Sequence, residues 1–290
     1  MINRLCLIGV GLIGGSLAMA LRERGLVGDI TGYARRVETL DTARYLGLID
    51  RGETDLAAAL AGADCVVIAI PVGQYRALFT QMQPFWPTQA VVTDCGSTKA
   101  SAHADLESVF GAVPTNFVAG HPVAGTERSG PAAAVPDLFR HRRVILTPHP
   151  RTEAAAVQRI QSIWQTVGAT VSLMSDARHD DILARTSHLP HLVAYQLIGT
   201  LADTRDAEEL FRYAAGGLRD LTRIASSDPA MWRDIVCANR EAVGAALDDY
   251  IADLQRLRSA VQDNDGALLE QRFEHARNTR DHWIRMAEAD

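Results

Sequence analysis

Two hydrophobic periods alternate along the first part of the chain. Short apolar runs predict strands at Arg4–Ile8, Ile30–Tyr33, Cys65–Ile70, Ala90–Asp94, Phe117–Ala119, Val144–Thr147 and Thr170–Met174. Between them, apolar residues three and four apart predict helices at Gly14–Arg24, Val37–Leu46, Tyr75–Gln83, Ala100–Phe110 and Thr152–Val167. Strands each followed by a crossover helix predict an α/β domain built on a parallel sheet. After Ser175-Asp176, a pair suited to capping a helix, strand signals stop. Helical spacing then runs to Asp290, through Ile182, Leu183, Leu189, Leu192 and Tyr195 and later Ile251, Leu254, Leu257 and Val261. The expected organisation is an α/β domain over residues 1–174 and an all-helical domain over 175–290.

Composition changes this picture little and closes off some functions. At 290 residues, 47% hydrophobic and 22% charged, the chain has ordinary globular composition. A net charge of −6 lacks the basic face of a nucleic-acid binder. Cys6, Cys65, Cys95 and Cys237 are far apart, and three lie in strand-like runs. They read as small core residues in a reducing compartment. The stretch LCLIGVGLIGGSLAMAL after Arg4 imitates a signal peptide, but four glycines interrupt it and a second strand signal, DITGYA, follows. No other run is long and apolar enough to span a bilayer, so the expected location is the cytoplasm.

Those glycines carry chemistry. Gly9-Val10-Gly11-Leu12-Ile13-Gly14 is GxGxxG, placed between an apolar strand and a helix, with a second strand ending near Tyr33. In that context it predicts a Rossmann-type dinucleotide site. Gly9 permits the tight turn, Gly11 lets the backbone approach a pyrophosphate, and Gly14 lets helix and strand pack closely. Backbone N–H groups at Leu12 and Ile13 then open the helix toward the phosphates. The second strand ends in Tyr33-Ala34-Arg35-Arg36, without the acid that bonds a ribose 2′-hydroxyl. Two guanidinium groups match a 2′-phosphate instead. NADP is the expected cofactor, with NAD as the second choice.

A histidine stands in GHPVAGTERSG, residues 120–130. Pro122 pushes His121 out of the helical region, into extended backbone near a strand end, where α/β enzymes keep reactive groups. From the residues alone, His121 is either such a group or a turn filler that bonds a carbonyl. Further along stand DCGSTK (94–99), SHLPH (187–191) and GGLRDLTRIASSDPAMW (216–232). His188 and His191 are three residues apart, but no acidic partner or third ligand accompanies them, so no metal is expected. Pro190 predicts a kink in its helix.

With the N-terminal GVGLIGGS, these stretches resemble the prephenate and arogenate dehydrogenase family of tyrosine biosynthesis, from Leu5 to about Leu257. The resemblance implies oxidative decarboxylation of a cyclohexadienyl alcohol. Hydride goes to the nicotinamide and CO2 leaves, giving tyrosine or 4-hydroxyphenylpyruvate. By resemblance, His121 is the catalytic histidine, near its normal pKa, and Ser97 bonds the same hydroxyl or the histidine; Ser97 would also serve as N-cap of Ala100–Phe110. Arg223 grips a substrate carboxylate, whereas without the family it reads as a surface ion pair with Asp220 or Asp228. His191 and Ser187 line the pocket, with His188 turned to the core. Gly216 brings backbone to the substrate side chain. Glu127 sits near that end, and Trp232 either reaches the partner subunit's site or packs within its own helix layer. The resemblance also implies a homodimer through the helical domain. The alternative is another NADP-linked Rossmann dehydrogenase of the hydroxyacid or imine-reductase type. Several of those use a second-domain lysine, and the one lysine here is Lys99.

Overall fold

In the computed structural model, which describes residues 1–125 and 128–289, β1 (Ile2–Ile8) lies inside a six-stranded parallel sheet. Its neighbours are β2 (Val27–Tyr33) and β4 (Cys65–Ile68). Beyond β2 comes β3 (Arg51–Glu53); beyond β4 come β5 (Val91–Asp94) and β6 (Phe117–Val118). The order β3-β2-β1-β4-β5-β6 reverses direction between β1 and β4, the place where such sheets bind ligands. Successive β1 side chains enter opposite faces. Leu5 and Leu7 join one core cluster, Cys6 and Ile8 the other. Both faces are covered, which is why Leu5–Ile8 of β1 and Cys65–Ile68 of β4 are apolar throughout.

The crossover helices are α1 (Leu12–Glu23), α2 (Val37–Tyr45), α3 (Leu56–Leu60), α4 (Tyr75–Met82) and α5 (Ala100–Phe110). The expected bounds of α5 are those observed, and the helix stops at Gly111, whose φ of 79° is the left-handed C-cap conformation. β3 and α3, unexpected from the sequence, are only three and five residues long.

The expected strand Phe117–Ala119 is followed at once by a second, unexpected one. Phe117–Val118 completes the parallel sheet, whereas β7 (Gly120–Pro122) belongs to a second, three-stranded sheet with β8 (Arg143–Leu146) and β9 (Thr170–Leu173). β7 runs antiparallel to β8, and β8 parallel to β9 across α6 (Ala154–Thr166). The switch of sheets has a single visible cause. The Asp94 carboxylate at the end of β5 takes the Gly120 N–H at 3.0 Å, which turns the chain off the parallel sheet and starts β7.

Thereafter the chain is helical: α7 (Asp176–Leu183), a π-turn at Ala184–His188, α8 (Leu189–Ala202), α9 (Ala207–Arg212), α10 (Gly216–Thr222), α11 (Pro229–Ala238), α12 (Arg240–Gln262) and α13 (Gly266–Ala289). The break expected from Pro190 takes the form of the π-turn before it, a device common at functional sites. Two compact units emerge, Met1–Ala242 and Val243–Asp290. The first therefore extends well past residue 174. Trp232 and Ile235 on α11 share a core with Ile8, Val72 and Tyr75, so α11 is bound to the sheet by common burial. In the second unit, Arg272 reaches Asp253 at 3.2 Å, and Phe273, Trp283 and Met286 stay exposed. Among the described residues, no helix is long and apolar enough to cross a membrane.

Candidate active site

A cleft of about 950 Å³ opens where the sheet order reverses. It is lined by Gly9 and Val10 after β1, Ala34–Arg36 after β2, and Ala69–Pro71 after β4. The three motif glycines differ in their surroundings. Gly9 has φ +95°, and a Cβ there would lie 2.4 Å from the Ala69 carbonyl oxygen. At Gly14 a Cβ would meet the Gly9 oxygen at 2.3 Å, which is the close helix–strand approach. A Cβ on Gly11 would meet nothing within 4 Å. Gly11 is also the N-cap of α1 and supplies no side-chain cap. The first-turn N–H groups of α1, Leu12 and Ile13 among them, are thus left for an outside acceptor. These residues fit a dinucleotide. Arg35 and Arg36 are both exposed at the rim, ahead of α2.

Next to this cleft, the loop after β5 and strand β7 carry a polar network in the core. His121 is only 8% exposed. Its Nδ1 lies 2.8 Å from His179 Nε2, and His179 Nδ1 lies 2.7 Å from Asp180 Oδ1. Asp180 in turn accepts the backbone N–H groups of Lys99 and Ala100, at 2.9 and 3.0 Å. It thereby caps α5 from another helix. The direction of every hydrogen follows. Asp180 accepts, so His179 donates from Nδ1 and presents a bare Nε2. His121 must then donate from Nδ1, which leaves its own Nε2 with a lone pair. Burial is the main cause holding the His121 pKa well below 6.5, with the charges of His179, Lys99 and His188 adding to it. The expectation of a near-normal pKa is corrected on that ground. Burial likewise lowers His179, against the opposing pull of Asp180.

The helical residues gather on the same side. Asn239 Nδ2 donates to the Asp180 carbonyl at 2.8 Å and lies 3.2 Å from His188 Nδ1. His188 is buried, as expected, and its pKa is pushed down to about 4, chiefly by burial. His191 takes the other side of the π-turn. Its Nδ1 bonds the Ser187 carbonyl oxygen at 2.9 Å, and its ring stacks on Trp232 with centroids 3.6 Å apart. The exposed Arg223 side chain is near enough that its charge helps lower His191. Gly216 is the first residue of α10, with open space about its Cα.

Of the two readings of Trp232, its 9% exposure and its place among its own chain's core residues favour packing within its own layer. Another expectation needs correcting. Ser97 is not the cap of α5. Lys99 occupies that position and the Asp180 carboxylate does the capping, so half-buried Ser97 sits free of that task in the loop after β5. Glu127 lies outside the described residues. The sequence reading assigned no role to Asp94, Lys99, His179 and Asp180. The stretch DCGSTK places Asp94 and Lys99 at the two ends of one motif, and Lys99 is the sole lysine.

The Prephenate dehydrogenase, nucleotide-binding domain family matches residues 17–173, and the Prephenate dehydrogenase, dimerization domain family matches 175–275. The chain belongs to the prephenate dehydrogenase family. Among relatives, the cyclohexadienyl dehydrogenase of Zymomonas mobilis is 36% identical, over 98% of each chain. Prephenate dehydrogenase from Aquifex aeolicus, in complex with hydroxyphenyl propionate and NAD+, superposes with a TM-score of 0.88 at 36% identity, covering 100% of this chain and 99% of that one. Synechocystis arogenate dehydrogenase gives 0.80 at 27% identity, over 97% and 99%. As a member of this family, the chain is a dehydrogenase.

Proposed function

We propose that this chain oxidises and decarboxylates a cyclohexadienyl alcohol, arogenate or prephenate, with His121 as the base. One observation carries the reading: His121 Nδ1 lies 2.8 Å from His179 Nε2 and His179 Nδ1 2.7 Å from Asp180 Oδ1, an order that with neutral rings leaves a lone pair on His121 Nε2. A bound nicotinamide supplies the hydride acceptor. His121 takes the proton from the ring hydroxyl as the hydride departs, a role suited to a neutral imidazole. Loss of the ring carboxylate as CO2 then gives the aromatic product. Ser97 bonds the same hydroxyl. Arg223 holds a substrate carboxylate, with Ser187, His191 and Gly216 around the side chain. His191, stacked on Trp232, cannot turn freely, which gives that wall a fixed shape. The hydroxyphenyl propionate bound by the Aquifex aeolicus relative is an aromatic ring on a three-carbon acid, the outline expected of the product.

NADP is the preferred cofactor in this reading. Ala34 leaves no acid for a ribose hydroxyl, and Arg35 and Arg36 offer two exposed guanidiniums at the rim. The residue 175–275 match to a dimerization domain supports a homodimer, which sedimentation would record as twice 31.5 kDa. The expected location is the cytoplasm. The deciding assay offers arogenate or prephenate with NADP or NAD, and follows reduced nicotinamide and CO2 together. Coupled release of both, lost in His121→Asn, is the expected result. Reduction without CO2, or full activity in His121→Asn, would overturn it.

A further inference from the structure

The one lysine of this chain is fully buried, at 0% exposure, beside the backbone of the residue before His121. All its other side-chain cations of the Lys and Arg type are arginines. Lys99 Nζ lies 2.5 Å from Asp94 Oδ2 and donates to the Gly120 carbonyl oxygen at 2.6 Å. Asp94 Oδ1 accepts the Gly120 N–H. Asp94 Oδ2 is further fixed by Tyr75 Oη and the Gly96 N–H, both at 2.8 Å. A buried ion pair is a poor way to gain stability, because desolvating both charges offsets their attraction. Its presence here needs another reason.

Strand geometry supplies one. β7 is an edge strand of its sheet. Thr147 N–H donates to the Ala119 carbonyl and Val123 N–H to the Arg143 carbonyl, so the odd-numbered residues of this stretch face β8. In an antiparallel ladder the alternate residue turns its backbone groups the other way. Gly120 is that residue. Its N–H and C=O face outward from the sheet, toward the end of β5, where among the described residues no strand pairs with that edge of β7. Asp94 meets the N–H and Lys99 meets the C=O. The pair stands in for a neighbouring strand, one residue before His121. A Cβ on Gly120 would come within 3.0 Å of the Asp94 carbonyl oxygen, so the fit is close.

We infer that Lys99, with Asp94, is a positioning residue that holds the β7 backbone and so directs the His121 imidazole toward His179 and the substrate. The inference rests on His121 being the base. Lys99 lines no part of the nucleotide cleft, so nucleotide affinity separates alignment from binding. The titratable and charged groups about His121 are His179 on α7, His188 in the π-turn, and Lys99 paired with Asp94. Removing the ammonium takes away a charge that lowers His121.

The test is K99M, with the double variant D94N/K99M in case one uncompensated buried charge prevents folding. Both are compared with His121→Asn for kcat, KM and nucleotide affinity by titration. Loss of alignment by about an ångström should lower kcat by roughly 10²-fold, with KM and nucleotide affinity within about threefold. In K99M the acid limb of kcat/KM should also move to higher pH. Folded K99M with kcat within about threefold and an unmoved acid limb, or folded D94N/K99M with kcat within about threefold, overturns the inference while His121 remains the base. An active His121→Asn overturns the reading beneath it instead. The wild-type protein gives an independent measurement. Lysine labelled with ¹⁵N at Nζ yields one side-chain resonance, and slow hydrogen exchange there is expected. Exchange as fast as in free lysine overturns the clamp even if neither variant folds.

Discussion

Asp180→Asn puts the hydrogen-bond chain to a direct test. The carboxylate accepts three N–H groups, from His179, Lys99 and Ala100. An amide has one oxygen and one NH2 group, so no orientation satisfies all three. With its oxygen toward His179 and Lys99, the NH2 confronts the Ala100 N–H. With the amide reversed, the NH2 confronts His179 Nδ1, and the ring escapes by moving its proton to Nε2. The bond to His121 then reverses, His121 keeps its proton on Nε2, and the base is lost. A lost helix cap costs about 1 kcal/mol, and a buried donor left unpaired about 1–3 kcal/mol. Stability should therefore fall by roughly 2–4 kcal/mol, which lowers the thermal midpoint by roughly 5–15 °C. The kinetic effect is larger. General-base catalysis is worth about 10²–10⁴ in rate, and a wrongly set tautomer can forfeit about 10⁴. Stopped assays at saturating NADP, on protein shown folded by circular dichroism, should give kcat down by that range with nucleotide affinity unchanged. A folded Asp180→Asn enzyme with kcat within about threefold of the parent, and with the His179 proton on Nε2 by ¹⁵N NMR, would refute the tautomer argument.

Other expectations follow from the same geometry. Gly11→Ala should keep its thermal midpoint, since a Cβ there meets nothing within 4 Å, yet lose nucleotide binding in a fluorescence titration. Gly14→Ala should unfold at lower temperature, because its Cβ falls 2.3 Å from the Gly9 oxygen. Replacing Arg35 and Arg36 together by Ala should raise the KM for NADP about 10- to 100-fold, the range of a lost charge-assisted bond, with NAD little changed; equal effects on both cofactors would contradict the rim assignment. Stability should also depend on pH through His188. Its pKa is about 4 when folded and near 6.5 when unfolded. Between those values only the unfolded chain binds the proton, so stability falls as pH drops from about 6.5 toward about 4. Buried His121 and His179, also lowered, add in the same direction. Thermal midpoints flat from about pH 8 to about pH 4.5 would contradict this.

Local rules made much of this protein readable. Helix α5 was legible to its last residue because apolar period and Gly111 agree on where it stops. The nucleotide glycines were legible because spacing, strand and helix coincide. His121 stood out by its glycine and proline flanks. What escaped was set by contacts distant in sequence. β7 leaves the parallel sheet because Asp94, 26 residues earlier, captures Gly120, and nothing in the local hydrophobic pattern records that. His179 and Asp180 sit in DARHDDIL, which reads as a solvated helix face, yet they are buried. β3, as Arg-Gly-Glu, has no apolar alternation to detect.

Burial of the sole lysine also shapes how the folded protein meets reagents and partners. Every exposed side-chain cation of the Lys and Arg type is a guanidinium, and 28 of the 29 such residues in the chain are arginine. That charge persists up to about pH 12. Acylating agents find no lysine side chain on the native surface, and a lysine-to-lysine cross-linker cannot join two copies of this chain. A dimer of this chain escapes that common assay altogether, and must be weighed rather than stitched.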